Sequence, residues 1–227
     1  MRVAAIIPAA GRGVRMRSAR SKILSPLLGK PLILWAIDPF LRLDSASEIL
    51  IAVSAEDADA VGACVRGRRT AVRLIRGGET RQESVANCLR EARHDCDMVA
   101  VHDAARPLLT DQLLGGVLAE AAEHGAAIAA VPCKDTVKQC NEEGFVERTL
   151  DRSRLWLVQT PQCFRRELLV EAYEKALSGG VTATDDSALV ERLGVAVRVV
   201  FGSYENIKVT TPEDIPVCEE ILRRRQT

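Results

Sequence analysis

The sequence predicts a three-layer α/β fold built on a mostly parallel sheet. Short β-branched runs alternate along the chain with segments of helical period. Several of those runs are apolar throughout, the pattern of strands covered on both faces. The helical segments also begin and end on residues that cap helices.

The strand candidates are Val3–Ile7, Ile49–Val53, Val72–Ile75, Met98–His102, Ala127–Val131 and Val195–Phe201. A helix is expected over Pro31–Arg42. Thr80-Arg-Gln-Glu83 forms a capping box ahead of Val85, Cys88, Leu89 and Ala92, which share one face. Thr110 caps a helix carrying Leu113, Leu114, Val117, Leu118 and Ala121, and Gly125 stands just past its end. A further helix runs over Glu167–Leu177. Thr184 is positioned to cap Asp185–Leu193, closed by Gly194. Thr211-Pro212-Glu213-Asp214 opens the last helix, and Pro216 is expected to kink it.

Residues 133–154 interrupt the alternation. Lys134–Lys138 and Phe145–Leu150 read as extended segments around Asn141-Glu-Glu-Gly144, a protruding β-hairpin arm suited to pairing with a second subunit. The rest of 1–227 carries no linker or repeat and is expected to be one domain with that arm.

Composition excludes several classes of function. The 227 residues hold 31 basic and 31 acidic side chains, a net charge of zero. That balance opposes a general nucleic-acid binder or a polybasic membrane anchor. No apolar run approaches the ~20 residues of a membrane span. The N-terminus lacks the features of a secretory signal, so a cytoplasmic protein is expected. Seven cysteines without C-x-x-C spacing, and three scattered histidines, fit free thiols in a reducing compartment better than a zinc site.

Against that neutral background one stretch stands out. Pro8-Ala-Ala-Gly-Arg-Gly-Val-Arg-Met16 follows the first strand candidate directly. From Pro8 to Ile37 the charged residues are Arg12, Arg15, Arg17, Arg20, Lys22 and Lys30, all cationic. A glycine loop lets a polyphosphate approach the backbone, and the cations answer its charge. Neither common phosphate motif is present: no G-x-x-x-x-G-K-[ST] occurs, and Met16 stands where a dinucleotide loop has its third glycine. The Gly loop and the His102-Asp103 pair both sit at strand ends, where open α/β sheets bind ligands.

This loop resembles the signature of nucleotidyltransferases that activate sugars or alditols. Downstream come Gly77-Gly-Glu-Thr-Arg-Gln-Glu-Ser84, His102-Asp-Ala-Ala-Arg-Pro107, Asp135-Thr136, Asp151-Arg-Ser-Arg-Leu-Trp156, Thr160-Pro-Gln162, Thr184-Asp185 and Glu205-Asn-Ile-Lys-Val-Thr210. In that order they resemble the 2-C-methyl-D-erythritol 4-phosphate cytidylyltransferase family, over residues 3 to about 215.

The resemblance implies a Rossmann-like nucleotidyltransferase fold and transfer of a cytidylyl group from CTP to 2-C-methyl-D-erythritol 4-phosphate, with release of pyrophosphate and with Mg²⁺. Arg15 and Lys22 would stabilise the transition state at the α-phosphate. Pro8, Ala9, Ala10, Gly11 and Gly13 would line the nucleotide through their backbone. Gly77, Gly78 and Ser84 would contact cytosine and ribose. Asp103 would hold substrate hydroxyls near the metal, as a ligand or with Mg²⁺ held only by phosphates, and Arg106 would meet substrate phosphate. Arg152 and Lys208 would position that phosphate, with Thr136, Thr160 and Thr184 donating hydroxyls. Thr184 has a second reading as a plain N-cap. The arm would cross to a partner, giving a homodimer with shared sites. Ser21-Lys22-Ile23 departs from the family's Pro-Lys-Gln, which puts the contact of that Gln in doubt.

Two other readings remain open on sequence. One keeps CTP but takes another acceptor, such as ribitol 5-phosphate. The other is a non-catalytic nucleotide-binding regulator.

Overall fold

The fold comes from a computed structural model that describes residues 1–11, 21–68 and 70–226. Its strands are β1 (Val3–Pro8), β2 (Pro26–Leu27), β3 (Lys30–Pro31), β4 (Ala46–Val53), β5 (Val72–Arg76), β6 (Met98–Val101), β7 (Ala126–Pro132), β8 (Lys138–Cys140), β9 (Val146–Thr149), β10 (Trp156–Arg165) and β11 (Arg198–Phe201). The helices are α1 (Leu32–Arg42), α2 (Ala58–Val65), α3 (Arg81–Glu91), α4 (Asp111–His124), α5 (Arg166–Ser178), α6 (Ser187–Glu191) and α7 (Asp214–Gln226).

Seven strands form the central sheet in the order β11-β7-β10-β6-β1-β4-β5. Six run one way. β10 alone is antiparallel, wedged between β6 and β7. The apolar strands are covered on both sides, as their composition demands. Ala5 and Ile7 of β1 pack with α1, α2 and α4 through Ile33, Ile37, Val61 and Val117. Ala4 and Ile6 point the other way and meet α3, α5 and α6 through Val85, Leu89, Leu169 and Leu189. A smaller cluster seats α7 on Leu27, Leu32, Leu108 and Val209.

The helix ends follow local chemistry. Thr80 Oγ1 accepts from Glu83 N–H at 3.0 Å, and Thr110 Oγ1 accepts from Leu113 N–H at 3.2 Å. Gly125 ends α4 with φ of 92°, a value glycine tolerates.

Three expectations need correction. α6 starts at Ser187, and Asp185, not Thr184, accepts from its Ala188 N–H. α7 starts at Asp214, whose Oδ2 accepts from the N–H groups of Thr210 and Thr211. Pro216 therefore stands in the first turn, where no helical N–H is lost. The last strand is shorter than expected, because Val195 and Val197 pack against the second core cluster outside it. β10 and α2 carried no expectation. β8 and β9 pair antiparallel in a separate two-stranded ribbon, the expected hairpin. Among the described residues no helix is long and apolar enough to cross a membrane.

Candidate active site

The segments that follow β1, β5 and β6 open into one crevice of about 420 Å³. It is lined by Pro8, Ala9, Ala10, Gly11, Lys22, Gly78, Ser84, Asp103 and Lys208 from the residues singled out by sequence. Gly13 and Arg15 lie outside the described residues.

Two backbone loops meet at its rim. Ala9 N–H donates to Ala52 O, and Gly77 N–H donates to Val53 O, both at 2.8 Å. This brings Gly77 against Ala10 so closely that a Cβ on Gly77 would sit 2.2 Å from the Ala10 Cβ. A Cβ on Gly78 would lie 2.3 Å from that of Glu83. Both glycines are required by close approach. Ser84 shapes the same loop: its hydroxyl donates to Thr80 O at 2.9 Å and accepts from Gly78 N–H at 3.1 Å. The Glu83 carboxylate accepts from Glu79 N–H at 2.7 Å.

Two cations from separate segments, Arg81 and Lys208, and one from its own turn, Arg106, converge on Asp103. Lys208 Nζ is 2.7 Å from Oδ2, Arg81 Nε is 3.0 Å from Oδ1, and Arg106 Nε is 3.9 Å from Oδ2. Burial alone would raise the Asp103 pKa. The neighbouring Arg81, Lys208 and Arg106 outweigh it and hold the carboxyl well below the usual range. Arg106 is partly buried next to Asp103 and is not among the residues lining the crevice; its Nη1 donates to Asn206 O at 2.7 Å, and its Nε is buried without a hydrogen-bond partner. Lys22 Nζ donates to Val209 O at 2.9 Å, next to Lys208. Ile23, at the position departing from the family pattern, is 4% exposed and packs in the first core cluster at the crevice floor.

Thr160 sits behind the site. Its Oγ1 accepts from Asp103 N–H at 3.0 Å and lies 3.0 Å from His102 Nδ1, so its proton goes to that nitrogen. His102 Nε2 lies 3.0 Å from Arg106 O and carries the ring proton. Burial lowers the His102 pKa to about 4, leaving a neutral ring that braces the 102–106 turn. The Thr160 hydroxyl thus faces Asp103 and His102 from within the protein, not the crevice expected of it.

Thr136 and Arg152 are exposed on the arm and at its base, and neither lines this crevice. Arg152 Nη1 donates to Lys134 O. Thr184 is exposed, and the cap of α6 does not use it.

Sequence reasoning assigned nothing to Arg81, although it lines the crevice and binds Asp103. The signal was present in its place, one residue after the cap that follows Gly77-Gly78. It also missed Gln162, whose Oε1 accepts from Asp186 and Ser187 N–H while its Nε2 donates to Asp185. Among the described residues, no three metal-binding side chains cluster.

The family model of 2-C-methyl-D-erythritol 4-phosphate cytidylyltransferase (IspD) matches residues 3–224. The protein of that name from Symbiobacterium thermophilum is 46% identical over 220 residues, spanning 97% of this chain and 92% of its own. Its counterpart from Caldanaerobacter subterraneus subsp. tengcongensis is 41% identical over 227 residues, covering 99% of this chain and 100% of its own. The crystal structure of 4-diphosphocytidyl-2C-methyl-D-erythritol synthase from Anaerococcus prevotii superposes with a TM-score of 0.87 at 30% identity, with 98% of each chain covered.

Proposed function

The chain belongs to the 2-C-methyl-D-erythritol 4-phosphate cytidylyltransferase family, and on that premise we propose that it transfers the cytidylyl group of CTP to 2-C-methyl-D-erythritol 4-phosphate. The products are 4-diphosphocytidyl-2-C-methyl-D-erythritol and pyrophosphate, a step of non-mevalonate isoprenoid biosynthesis.

The observation that carries the reading is the convergence of Arg81, Arg106 and Lys208 on Asp103, with Lys22 reaching the adjacent Val209 carbonyl. In the reaction a phosphate oxygen of the acceptor attacks the α-phosphorus of CTP. The bond from that phosphorus to the bridging oxygen breaks, and pyrophosphate leaves with the electron pair. Both reactants are anions, so fixed cations supply most of what the protein can offer. Lys22, with Arg15, answers the charge at the α-phosphate. Lys208 and Arg106 take the acceptor phosphate, and Asp103 accepts from its hydroxyls. Gly77 and Ala10 are in contact, so the nucleotide would lie along the two loop backbones on the crevice side, not between them. An acceptor phosphate already ionised needs no general base, which accords with a His102 that is buried and neutral.

Mg²⁺ is the proposed cofactor. Among the described residues no three metal-binding side chains cluster, and Asp103 is held by cations, which fits an ion held chiefly by phosphates, with Asp103 as the one carboxylate near it. When bound, the ion neutralises triphosphate charge and eases departure of pyrophosphate.

A cytoplasmic homodimer completes the proposal. Trp156, Leu157 and Val158 on β10, Phe201 on the edge strand β11 and Phe145 on the arm are exposed apolar side chains, a surface suited to a second copy. Thr136 and Arg152 would then reach the partner's crevice.

Pyrophosphate release with CTP and either 2-C-methyl-D-erythritol 4-phosphate or ribitol 5-phosphate tests the reading. Release is expected with the first acceptor. Release with ribitol 5-phosphate alone would reassign the acceptor, and no release with any acceptor at high protein and Mg²⁺ would sink the enzyme reading.

A further inference from the structure

We propose that Arg81 is a positioning residue for the acceptor, a fixed clamp that holds Asp103 in place while Lys208 and Arg106 turn to the acceptor phosphate. The inference rests on the cytidylyl-transfer reading above and deepens it.

Asp103 has three cationic neighbours, and they are not equivalent. Lys208 is 45% exposed and contacts Oδ2 from a flexible stem. Arg106 stands off at 3.9 Å, with its Nε otherwise unpartnered. These two are the cations that the transfer reading directs onto phosphate. If they were the whole support, Asp103 would lose its partners at the moment the acceptor arrives. A carboxylate that is only 10% exposed cannot stay charged and oriented alone without a large penalty.

Arg81 cannot leave in this way. Its Nε holds Asp103 Oδ1 while its Nη2 holds Asp186 Oδ2 at 2.8 Å. Asp186 is fully buried and is itself fixed twice: Tyr173 Oη donates to its Oδ1 at 2.5 Å, and its N–H donates to Gln162 Oε1 at 3.1 Å. The guanidinium is therefore tethered from behind by α5 and β10, and it presents one edge to the crevice. A planar fork holds two carboxylates at a fixed separation in this manner; an ammonium on a flexible stem has the donors but not the fixed geometry. With Oδ1 pinned by Arg81, Oδ2 remains as the atom left open when Lys208 departs.

Steady-state pyrophosphate release tests the clamp, with CTP and 2-C-methyl-D-erythritol 4-phosphate varied separately. The variants are Arg81→Lys, Arg81→Ala, Asp103→Asn and Arg81→Ala with Asp103→Asn. Because Arg81→Ala strands the buried Asp186 carboxylate, Arg81→Ala with Asp186→Asn keeps the test valid if the single variant does not fold. Loss of Arg81 is expected to raise KM for the acceptor about 10-fold or more, with KM for CTP nearly unchanged. Arg81→Lys should recover little of that loss. Adding Arg81→Ala to Asp103→Asn should cost less than about twofold further, since the two act as one unit. A rise in KM for CTP alone, wild-type behaviour of Arg81→Lys, or independent multiplying losses with Asp103→Asn would each overturn the clamp. An inactive wild-type protein would overturn the transfer reading and the clamp with it; an active one with unaltered acceptor KM in the variants overturns the clamp alone.

Discussion

Lys208 and Asp103 form a close ion pair, 2.7 Å between Nζ and Oδ2, at the mouth of the crevice. The pair joins a half-exposed cation to a carboxylate that two further cations also approach. In the proposed reaction Lys208 must give up this partner for a phosphate, and Asp103 must turn the freed oxygen to the acceptor. The two residues should therefore fail differently. Lys208→Ala should lower kcat by about 10²-fold, the scale of one preorganised charge-stabilising donor. Asp103→Asn should act mainly through KM for the acceptor. Steady-state kinetics with each substrate varied in turn would show the split, and a pure CTP effect from either variant would contradict it.

Lys22 is tied across the chain to Val209 O, 187 residues away in sequence. That bond sets its ammonium at the crevice edge beside the segment carrying Lys208. Lys22→Ala is expected to reduce kcat by about 10²-fold while the protein melts close to the wild-type temperature. Turnover near wild type would remove Lys22 from the transition state.

Much of this site was legible because its parts use strong local signals. The apolar runs of β1, β4 and β6 announced strands covered on both faces, and Thr80 and Thr110 announced the helix starts. β10 escaped for a physical reason. Gln159, Thr160 and Gln162 are buried polar residues in its middle, so the strand lacks an apolar run. Each is satisfied by a partner distant in sequence: Gln159 by Ser203 and Asn206, Thr160 by His102, Gln162 by the 185–187 turn. Hydropathy cannot register a strand whose interior is paid for by tertiary hydrogen bonds. Arg81 was hidden in the same way, since its role exists only once α3 is set beside Asp103 and Asp186. Ile23 shows the converse. Its departure from the family pattern raised doubt about a lost contact, and the side chain proves to be buried in the core.

The contact between Gly77 and Ala10 gives a steric prediction. Gly77→Ala would place two methyl-sized groups 2.2 Å apart, so the loops must separate. A cost of about 1–3 kcal/mol in stability is expected, together with a smaller rise in melting temperature on adding CTP. Ala10→Gly in the same chain makes room and should restore most of both. Failure of that second change to rescue the first would show that the loops are held apart by something else.

His102 gives a pH prediction. Its folded pKa lies near 4, mainly because burial disfavours the charged ring. Unfolded, the same ring titrates near 6.5. Between these values the unfolded state binds more protons, so this contribution is complete above about pH 6.5 and is lost as pH falls toward 4. The shift corresponds to roughly 3 kcal/mol across that window. Urea unfolding at stepped pH should show the slope in the wild type and a flatter profile in His102→Asn. Equal slopes in both would assign the acid sensitivity elsewhere.

The arm supplies the test of shared sites. Deleting Gln139–Phe145 removes most of β8, the turn to β9 and the exposed Phe145, and size-exclusion chromatography should show the protein shifted toward monomer. Complementation asks the sharper question. Lys22 lines its own chain's crevice, whereas Arg152 does not. If Arg152 acts on the partner's crevice, a mixed dimer of Lys22→Ala and Arg152→Ala chains holds one crevice with both defects and one with neither. Random mixing makes half the dimers mixed, so two nearly inactive variants should regain about a quarter of wild-type activity. If both residues serve one chain, each crevice of the mixed dimer keeps one defect and nothing is regained. Absence of recovery, with exchange of chains verified, would return Arg152 to its own subunit and leave the arm as an element of assembly only.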